Sequence, residues 1–564
     1  MSIPNVLSAL LVTALTAAAQ PVVATGGVVN AASYAPEGFP NSGIARGAMF
    51  IVFGTGLGPQ NLQQTSGLPL GTELAGTSVR ISMAGASVDA YLYYTSARQL
   101  AAILPSSTPE GKGTVTVTYN GRTSVPAAIT VVRRAVGSFT QNQAGMGPAI
   151  VQNFTLPGNY ALNTLLEPAK PRQIAALWAT GLGPIDSLDN VQPPVGNVGS
   201  DVQVLVGNLP SKVLYAGRSA QFPGIDQINF EIREGVEGCY VPVALKVGGV
   251  VSNVATMAIA ASGSVCADAT ADIKTTDLES LRQTGVSRMA TINLTQMRAR
   301  ANVLGTTVEV NLDQGQARFY SRVSRDFLAG LPLRDQTTAI GTCTAYAMRA
   351  LQQDEIYWVP DDPVNRLGLN AGAVLNITGP DGTRKQLALD ANSTGVFESD
   401  LGGGFPVATQ PVFLGAGTYT VDNGNGGADV GKFQARITIP PLLTWINQDA
   451  ITDVTRNQAL TVTWSGADPA TQFVTIAGSS KSVDSTVVGA FTCTERADAL
   501  TFTVPTDVLA VLPVNTPWTG VGNPTGLLFV GAQPLTDSAR FAAPGIDIGS
   551  LRYTSQLMSA VSYK

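Results

Sequence analysis

The chain has 564 residues, of which 45% are hydrophobic and 13% are charged, and its formal net charge is −5. It contains no histidine, which excludes Ser-His-Asp triads, histidine-based metalloproteases and the usual zinc sites. The slight acidic excess gives no basic surface for nucleic acid, and the length predicts several domains.

The first segment is an uncharged apolar stretch, Val6–Ala19, that ends in Ala17-Ala18-Ala19. Such a stretch is short for the ~30 Å of a bilayer core, and its end resembles a cleavage site, so residues 1–19 are predicted to be a secretory signal peptide. No Lys or Arg precedes the stretch, which leaves an ordinary apolar strand as the alternative. No later stretch reaches 18 apolar residues, so we expect no membrane span after signal removal and a secreted or cell-envelope location.

A repeat fills the first half of the remaining chain. Five segments recur in the same order: Phe53–Pro59 as Trp178–Pro184, Val79–Gly85 as Val202–Gly207, Tyr91–Thr95 as Val213–Tyr215, Gln99–Pro105 as Gln227–Ile232, and Thr114–Ser124 as Val241–Ser252. They predict two copies of one module, module 1 at residues 27–134 and module 2 at residues 137–261. Short alternating strands and the turns Asn120-Gly121 and Gly248-Gly249 predict antiparallel β-sandwiches.

Several segments of the two copies are familiar. Val29–Tyr34, Ile44–Gly47 with Phe53–Leu57, Ile225–Phe230 and Gly248–Asn253 resemble the Solibacter-type uncharacterised C-terminal module, which occurs in many secreted proteins of acidobacteria and looks immunoglobulin-like. The resemblance covers about residues 27–261. It implies export and a β-sandwich, but no activity and no functional residues. Module 2 departs from the pattern by the insertion Val191–Gly199, and module 1 by the basic pair Arg133-Arg134.

The rest of the chain is predicted to start with a short helix and to continue as strands. After a Ser/Ala/Gly-rich linker, Thr276–Glu279 forms a capping-box pattern and Gly285 a stop signal, which predict a helix over 277–284. Strand patterns then recur, and Pro440-Pro441 marks a boundary. We expect a β-rich domain at 267–440 and an immunoglobulin-like β-sandwich at 441–564. The predicted fold class is therefore all-β, with several immunoglobulin-like antiparallel β-sandwich domains in tandem.

Four cysteines, at Cys239, Cys266, Cys343 and Cys493, lack the spacing of a metal or redox motif. In an oxidising compartment the even number predicts two disulfides, and four cysteines allow three connectivities. We favour Cys239–Cys266, at the end of module 2, and Cys343–Cys493, which joins two strand-like segments. Four buried free thiols are the alternative.

The strongest metal candidate is the segment from Asp422 to Asp429. Asp422, Asn423, Asn425 and Asp429 place oxygen ligands at the short spacing that calcium prefers, although the segment matches no EF-hand or calcium-binding repeat. A tight β-turn rich in Asn, Asp and Gly has the same composition. Calcium is thus the one cofactor that the sequence proposes, with a plain turn as the alternative.

Exposed aromatic residues and carboxylates are the remaining candidates. Trp358 and Trp518 lie in loop-like sequence, where an indole ring can stack on a sugar or anchor a protein partner. Paired carboxylates cleave glycosidic bonds without histidine. The available acids are Glu231, Glu234, Glu237, Asp354 and Glu355. Neither a nucleophile elbow nor a supported SxxK motif occurs.

Together these patterns predict an exported, non-catalytic, multidomain β protein that acts as an extracellular or cell-envelope binding or scaffold component. Its partner would be an extracellular protein or a glycan. The alternatives are a carbohydrate-binding protein that uses exposed aromatic residues, and a polysaccharide hydrolase with its carboxylates in the second half.

Overall fold

The computed structural model describes residues 20–156, 158–198, 201–266, 268, 270, 274–303, 306–323, 337–349, 367–404, 410–518, 524–535 and 540–564. The predicted signal peptide, residues 1–19, lies outside this part of the chain. The described residues form mostly strands in several antiparallel sheets. The all-β, immunoglobulin-like fold class is therefore confirmed.

Module 1 is a sandwich of two sheets. Its strands are β1 (Val22–Asn30), β2 (Ile44–Ala45), β3 (Met49–Thr55), β4 (Gln63–Gln64), β5 (Glu73–Leu74), β6 (Thr77–Met83), β7 (Ala86–Asp89), β8 (Tyr91–Thr95), β9 (Gln99–Ile103), β10 (Gly111–Tyr119), β11 (Arg122–Thr123) and β12 (Ala127–Val132). One sheet has the strand order β1-β3-β9-β8-β4. The other has the order β2-β12-β10-β6-β5, and in it β7 also pairs with β6 and β11 with β10. Phe50, Val79 and Val115 belong to the buried core between the sheets.

Module 2 repeats this arrangement. Its strands are β13 (Gly137–Ser138), β14 (Gly147–Pro148), β15 (Val151–Leu156), β16 (Asn159–Leu162), β17 (Ile174–Thr180), β18 (Val202–Val206), β19 (Leu209–Ser211), β20 (Val213–Arg218), β21 (Asp226–Glu231), β22 (Gly238–Val247), β23 (Val250–Val251) and β24 (Ala255–Ile259). The sheets have the orders β16-β15-β17-β21-β20 and β14-β24-β22-β18-β19. Strands β17, β21 and β20 thus take the places of β3, β9 and β8.

Equivalent turns close equivalent hairpins in the two modules. Asn120 and Gly121 have φ of 47° and 77°, and they join β10 to β11. Gly248 and Gly249 have φ of 58° and 83°, and they join β22 to β23. Asn and Gly adopt this left-handed conformation at low cost, which is why the turn prediction from sequence is correct in both copies.

In the C-terminal region, residues 267–564, the described part of the chain forms two α-helices and the remaining strands. These are α1 (Thr275–Thr284), β25 (Val286–Val303), β26 (Thr306–Val323), β27 (Thr342–Arg349), β28 (Leu367–Gly368), β29 (Val374–Thr378), β30 (Arg384–Leu389), β31 (Val396–Gly403), β32 (Gly417–Asp422), β33 (Gln434–Ile439), β34 (Thr444–Trp445), β35 (Asp453–Val454), β36 (Leu460–Ser465), β37 (Gln472–Lys481), β38 (Val487–Arg496), β39 (Thr501–Val504), α2 (Thr506–Leu509), β40 (Gly526–Pro534), β41 (Arg540–Phe541), β42 (Ile548–Ala560) and β43 (Ser562–Tyr563).

One large sheet runs through this region in the order β27-β38-β37-β40-β42-β25-β26-β31-β30-β29-β32-β33. Strand β25 pairs with β42 in parallel, from Met289 with Ile548 to Arg300 with Ser559. Of the two cores on the sheet, the one around Phe397 includes Tyr553, and the one around Trp464 includes Ala345. Both cores thus contain residues from either side of 440/441, and the domain boundary at this point stays a prediction.

Helix α1 confirms the predicted helix, and Gly285 ends it with φ of 70°. The predicted cap is wrong in its position. The helix begins at Thr275, so the backbone N–H of Lys274 donates to the Asp277 carboxylate at 2.8 Å, and Thr276 lies inside the first turn. The short helix α2 was not predicted, because four residues give too little periodicity for a pattern.

Both favoured disulfides are present, Cys239–Cys266 and Cys343–Cys493, and no cysteine is free. Cys239 and Cys266 lie in an apolar cluster with Leu278 of helix α1. Cys343 on β27 and Cys493 on β38 are directly opposite each other in the sheet. The two bonds therefore anchor module 2 to the following helix and β27 to the C-terminal core.

Replacing Cys343 and Cys493 together with Ser should lower the free energy of unfolding by roughly 2–4 kcal/mol, because the opened loop regains chain entropy in the unfolded state. The loop spans 150 residues, against 27 for Cys239–Cys266, so the same double replacement there should cost less. Denaturant unfolding followed by tryptophan fluorescence measures both. Equal stability of the Cys343/Cys493 variant and the oxidised parent would contradict this expectation.

Candidate functional site

Modules 1 and 2 meet in a buried cluster of charged and polar groups. Arg218, at the end of β20, is 1% exposed and forms an ion pair with the fully buried Asp226 at the start of β21. A guanidinium nitrogen of Arg218 also donates to the carbonyl oxygens of Gly47 in module 1, at 3.0 Å, and Gly183 in module 2, at 2.6 Å. The backbone N–H of Leu182 donates to Asp226 at 2.8 Å. A side chain of module 2 thus binds the backbone of module 1 inside the protein.

Asp189 of module 2 extends this cluster into module 1. Its carboxylate accepts hydrogen bonds from the backbone N–H and the hydroxyl of Ser106, at 2.6 and 2.8 Å. Burial raises the pKa of Asp189, while the bonds from Ser106 and the charges of Arg218 and Arg46 act in the opposite direction. Gly47 has φ of 75°, and a Cβ there would lie 2.4 Å from the Arg218 guanidinium. Only glycine therefore fits at this point of the junction.

Sequence reasoning missed this cluster, although one signal was present. Strand β21 alternates buried and half-buried residues, which places Asp226, Ile228 and Phe230 on its inward side. A carboxylate at an inward position of a strand requires a buried partner. The sequence does not show that the partner is Arg218, because Arg218 lies on a neighbouring strand whose register is set only by the fold.

A cavity of about 350 Å³ lies where both modules meet the C-terminal region. Its wall is mainly apolar and includes Tyr34 and Phe53 of module 1 and Tyr346 and Met348 of β27. The rings of Tyr34 and Phe53 lie 6.2 Å apart. Burial raises the pKa values of Tyr34 and Tyr346, so both hydroxyls stay protonated at neutral pH. The cavity can accommodate an apolar or aromatic group.

Charged side chains lie at the edge of this cavity. The guanidinium of Arg349 abuts Gly26, where a Cβ would lie 2.6 Å from one of its nitrogens. Asp507 forms an ion pair with Lys246 at 2.8 Å. In the described part of the chain, no three His, Cys, Asp or Glu residues are grouped as metal ligands. The cavity thus combines an apolar wall with charged side chains at its edge.

The predicted calcium ligands lie at the end of β32, where Asp422 is the last residue, and in the loop that joins β32 to β33. Asp422 accepts a hydrogen bond from the Asn376 amide at 3.0 Å, and Asp429 accepts one from the backbone N–H of Asn370 at 2.8 Å. Asn423 is buried, and its side chain bonds three backbone groups of this region. Asn425 is exposed. These contacts account for the turn residues structurally, and calcium binding at this turn stays a prediction.

The other predicted residues are spread over the molecule. Trp518 is half-buried, whereas Trp358, Asp354 and Glu355 lie outside the described residues. Glu231 is half-buried on β21. Glu234 forms an ion pair with Arg172 at 3.5 Å, and the backbone N–H of Ala261 donates to Glu237 at 3.3 Å.

Comparisons with known proteins give only distant likenesses. No protein-family model and no curated protein matches the chain. Among solved structures, domains 5-6 of the S-layer protein SbsC are 15% identical, with a TM-score of 0.17, over 43% of this chain and 100% of that chain. SGBP-B from the Bacteroides ovatus mixed-linkage glucan utilization locus, in complex with a mixed-linkage heptasaccharide, is 10% identical, with a TM-score of 0.14, over 86% and 92%. The I9-I11 tandem from titin is 9% identical, with a TM-score of 0.12, over 70% and 92%. Likenesses at this level assign neither a family nor a ligand.

In the described part of the chain, no helix is both long and apolar enough to cross a bilayer.

Replacing Arg218 with Met should destabilise the first half of the protein by about 3–5 kcal/mol, because Asp226 would stay buried without its countercharge. Scanning calorimetry of the full chain should show that the unfolding transition of the first half occurs at a clearly lower temperature in the variant than in the parent. Arg80→Met is the matched control, since it removes an exposed ion pair with Asp89 and should have almost no effect. Equal effects of the two replacements would show that the buried pair does not hold the junction.

Proposed function

We propose that the protein is an exported, non-catalytic β protein that serves as a binding or scaffold component outside the cytoplasm. The observation that carries the proposal is the junction of Arg218, Asp226 and Asp189, where two modules are held by buried hydrogen bonds. A flexible linker would leave the modules free to move, whereas such a junction fixes their relative orientation. Fixed orientation suits a protein that holds surfaces at defined positions.

The contact between module 2 and the C-terminal region supports the same proposal. The side-chain amide of Asn208 donates to the carbonyl oxygen of Cys343 at 3.2 Å and accepts from its N–H at 2.7 Å. Tyr240 of module 2 and Leu278 of helix α1 share one buried apolar cluster. This second junction is thus packed as well.

Export is supported by the covalent chemistry. Disulfides persist in oxidising compartments and are rare in the cytosol, and this chain uses all four of its cysteines in two of them. We also propose that residues 27–261 are two Solibacter-type modules, which the repeated strand order supports.

Two of the hydrolase candidates lie in module 2 and already have partners, whereas the candidates of the second half, Asp354 and Glu355, lie outside the described residues. A carboxylate hydrolase needs two carboxyl groups facing each other across ~5–9 Å. Glu234 is instead paired with Arg172, and Glu237 accepts a backbone hydrogen bond. The carbohydrate alternative from the sequence depends on exposed Trp358 and Trp518. Trp518 is half-buried, which gives that alternative little support.

Expression of the full chain in a bacterium, followed by cell fractionation and mass spectrometry, tests the proposal. We expect an extracytoplasmic protein that begins at Gln20, contains both disulfides and turns over no polysaccharide in an activity screen. Ala17→Asp is the control, since it disrupts the small-residue pattern of the cleavage site and should retain the precursor. Cytoplasmic protein with residues 1–19 intact, or turnover abolished by one Asp or Glu replacement, would contradict the proposal.

A further inference from the structure

Equivalent sheet faces in the two modules have different surroundings. In module 1, the outward face of β3 and β9 is a protein contact. Phe139 and Ile225 of module 2 pack against it. Four of its outward residues, Met49, Ile51, Ala101 and Ile103, are at most 6% exposed, whereas the outward pair Phe53 and Gln99 is half-buried. This face is apolar because it is buried by the neighbouring module.

In module 2, the same positions carry different side chains. The outward pairs of β3 and β9 are Ile51 with Ala101 and Met49 with Ile103. The corresponding pairs of β17 and β21 are Ala176 with Asn229 and Ile174 with Glu231. An amide and a carboxylate thus replace two buried apolar residues. In β17 and β21, the outward residues are half-buried or exposed, in strict alternation with the buried inward residues over most of their length.

Aromatic rings and amides cover this face of module 2, which we call the open face: Gln152, Phe154, Tyr160, Trp178, Gln227 and Asn229. The indole N–H of Trp178 donates to the Gln152 side chain at 3.0 Å, and Gln227 donates to Asn229 at 2.9 Å. The rings of Phe154 and Tyr160 lie 5.6 Å apart, and Tyr160 is 52% exposed.

We propose that the open face binds a neutral polysaccharide. Aromatic rings offer apolar surfaces for the C–H faces of pyranose rings, and each amide can both donate to and accept from sugar hydroxyls. Glu231 at the edge of the face adds an acceptor and opposes acidic polysaccharides. This inference goes beyond the proposed function, since the open face is separate from the Arg218 junction, the cavity and the export signal. Either proposal can therefore fail while the other holds.

A docked protein fits this face less well than a glycan. The module 1 face, which does bind protein, is apolar where it is buried, at Met49, Ile51, Ala101 and Ile103, and its next outward pair is Phe53 with Gln99. A protein covering the open face would have to desolvate the Asn229 amide and the Glu231 carboxylate, which costs free energy unless each finds a partner. Sugar hydroxyls supply such partners along the length of a chain.

Affinity electrophoresis of the full chain in gels that contain soluble β-glucan, arabinoxylan or galactomannan tests the proposal, with alginate as the acidic comparison. We expect retardation by at least one neutral polysaccharide and none by alginate. Trp178→Ala and Tyr160→Ala should each raise the dissociation constant at least about tenfold. Leu209→Ala, a residue 45% exposed on the other sheet of module 2, is the matched control and should bind like the parent.

If Trp178→Ala disturbs folding, Tyr160→Ala still tests the proposal, since the exposed Tyr160 ring can be removed without opening the core. Thermal unfolding of each variant measures whether it is folded. Absence of retardation in all three neutral gels would overturn the proposal. So would retardation that survives both replacements. A dimer in light scattering that Tyr160→Ala dissociates would assign the face to a second copy of the chain instead.

Discussion

The arrangement of the first half depends on the burial of one guanidinium group. Arg218 is removed from water, and a buried charge is tolerated only when hydrogen bonds and a countercharge replace its hydration. Asp226 supplies the charge, and the carbonyl oxygens of Gly47 and Gly183 supply acceptors. Because Gly47 belongs to module 1, the full set of partners exists only when the modules are docked. The planar guanidinium of arginine also fixes the directions of its hydrogen bonds, which the ammonium group of a lysine would not do.

This docking makes two similar modules unequal. It places Phe139 and Ile225 of module 2 on the outward face of β3 and β9, so the outward residues Met49, Ile51 and Ala101 are buried as well as the inward ones. Module 2 contacts the C-terminal region through other surfaces, including Asn208 and Tyr240. Its own outward face keeps access to solvent, as in the terminal unit of a repeat protein. The two chemistries, one apolar and one rich in amides, follow from this difference in position.

Local features of the fold and the two disulfides could be predicted from the sequence, whereas the long-range strand pairings of the C-terminal region could not. The turns at Asn120 and Gly248 and the helix end at Gly285 follow from backbone preferences of single residues. The pairing of β25 with β42 joins segments more than 200 residues apart, and no local pattern encodes such a parallel pairing. Asn423 shows the same limit, since its side-chain amide donates to the carbonyl oxygen of Ala371, 52 residues away in sequence. Composition alone does not separate that role from metal ligation.

The repeat itself contains information that neither copy gives alone. At inward positions, Leu100 and Ala102 of β9 correspond to Ile228 and Phe230 of β21, and all four are buried and apolar. At outward positions, Ala101 corresponds to Asn229, and the change from apolar to polar is tolerated because the sandwich core does not use that side. The inward positions stay apolar in both copies because the sandwich core is built from them. Among the outward positions, Ile51 stays apolar as Ala176 and Gln99 stays an amide as Gln227, whereas Ala101 changes to Asn229. Asn229 is half-buried where Ala101 is fully buried, so this change follows what lies against the module.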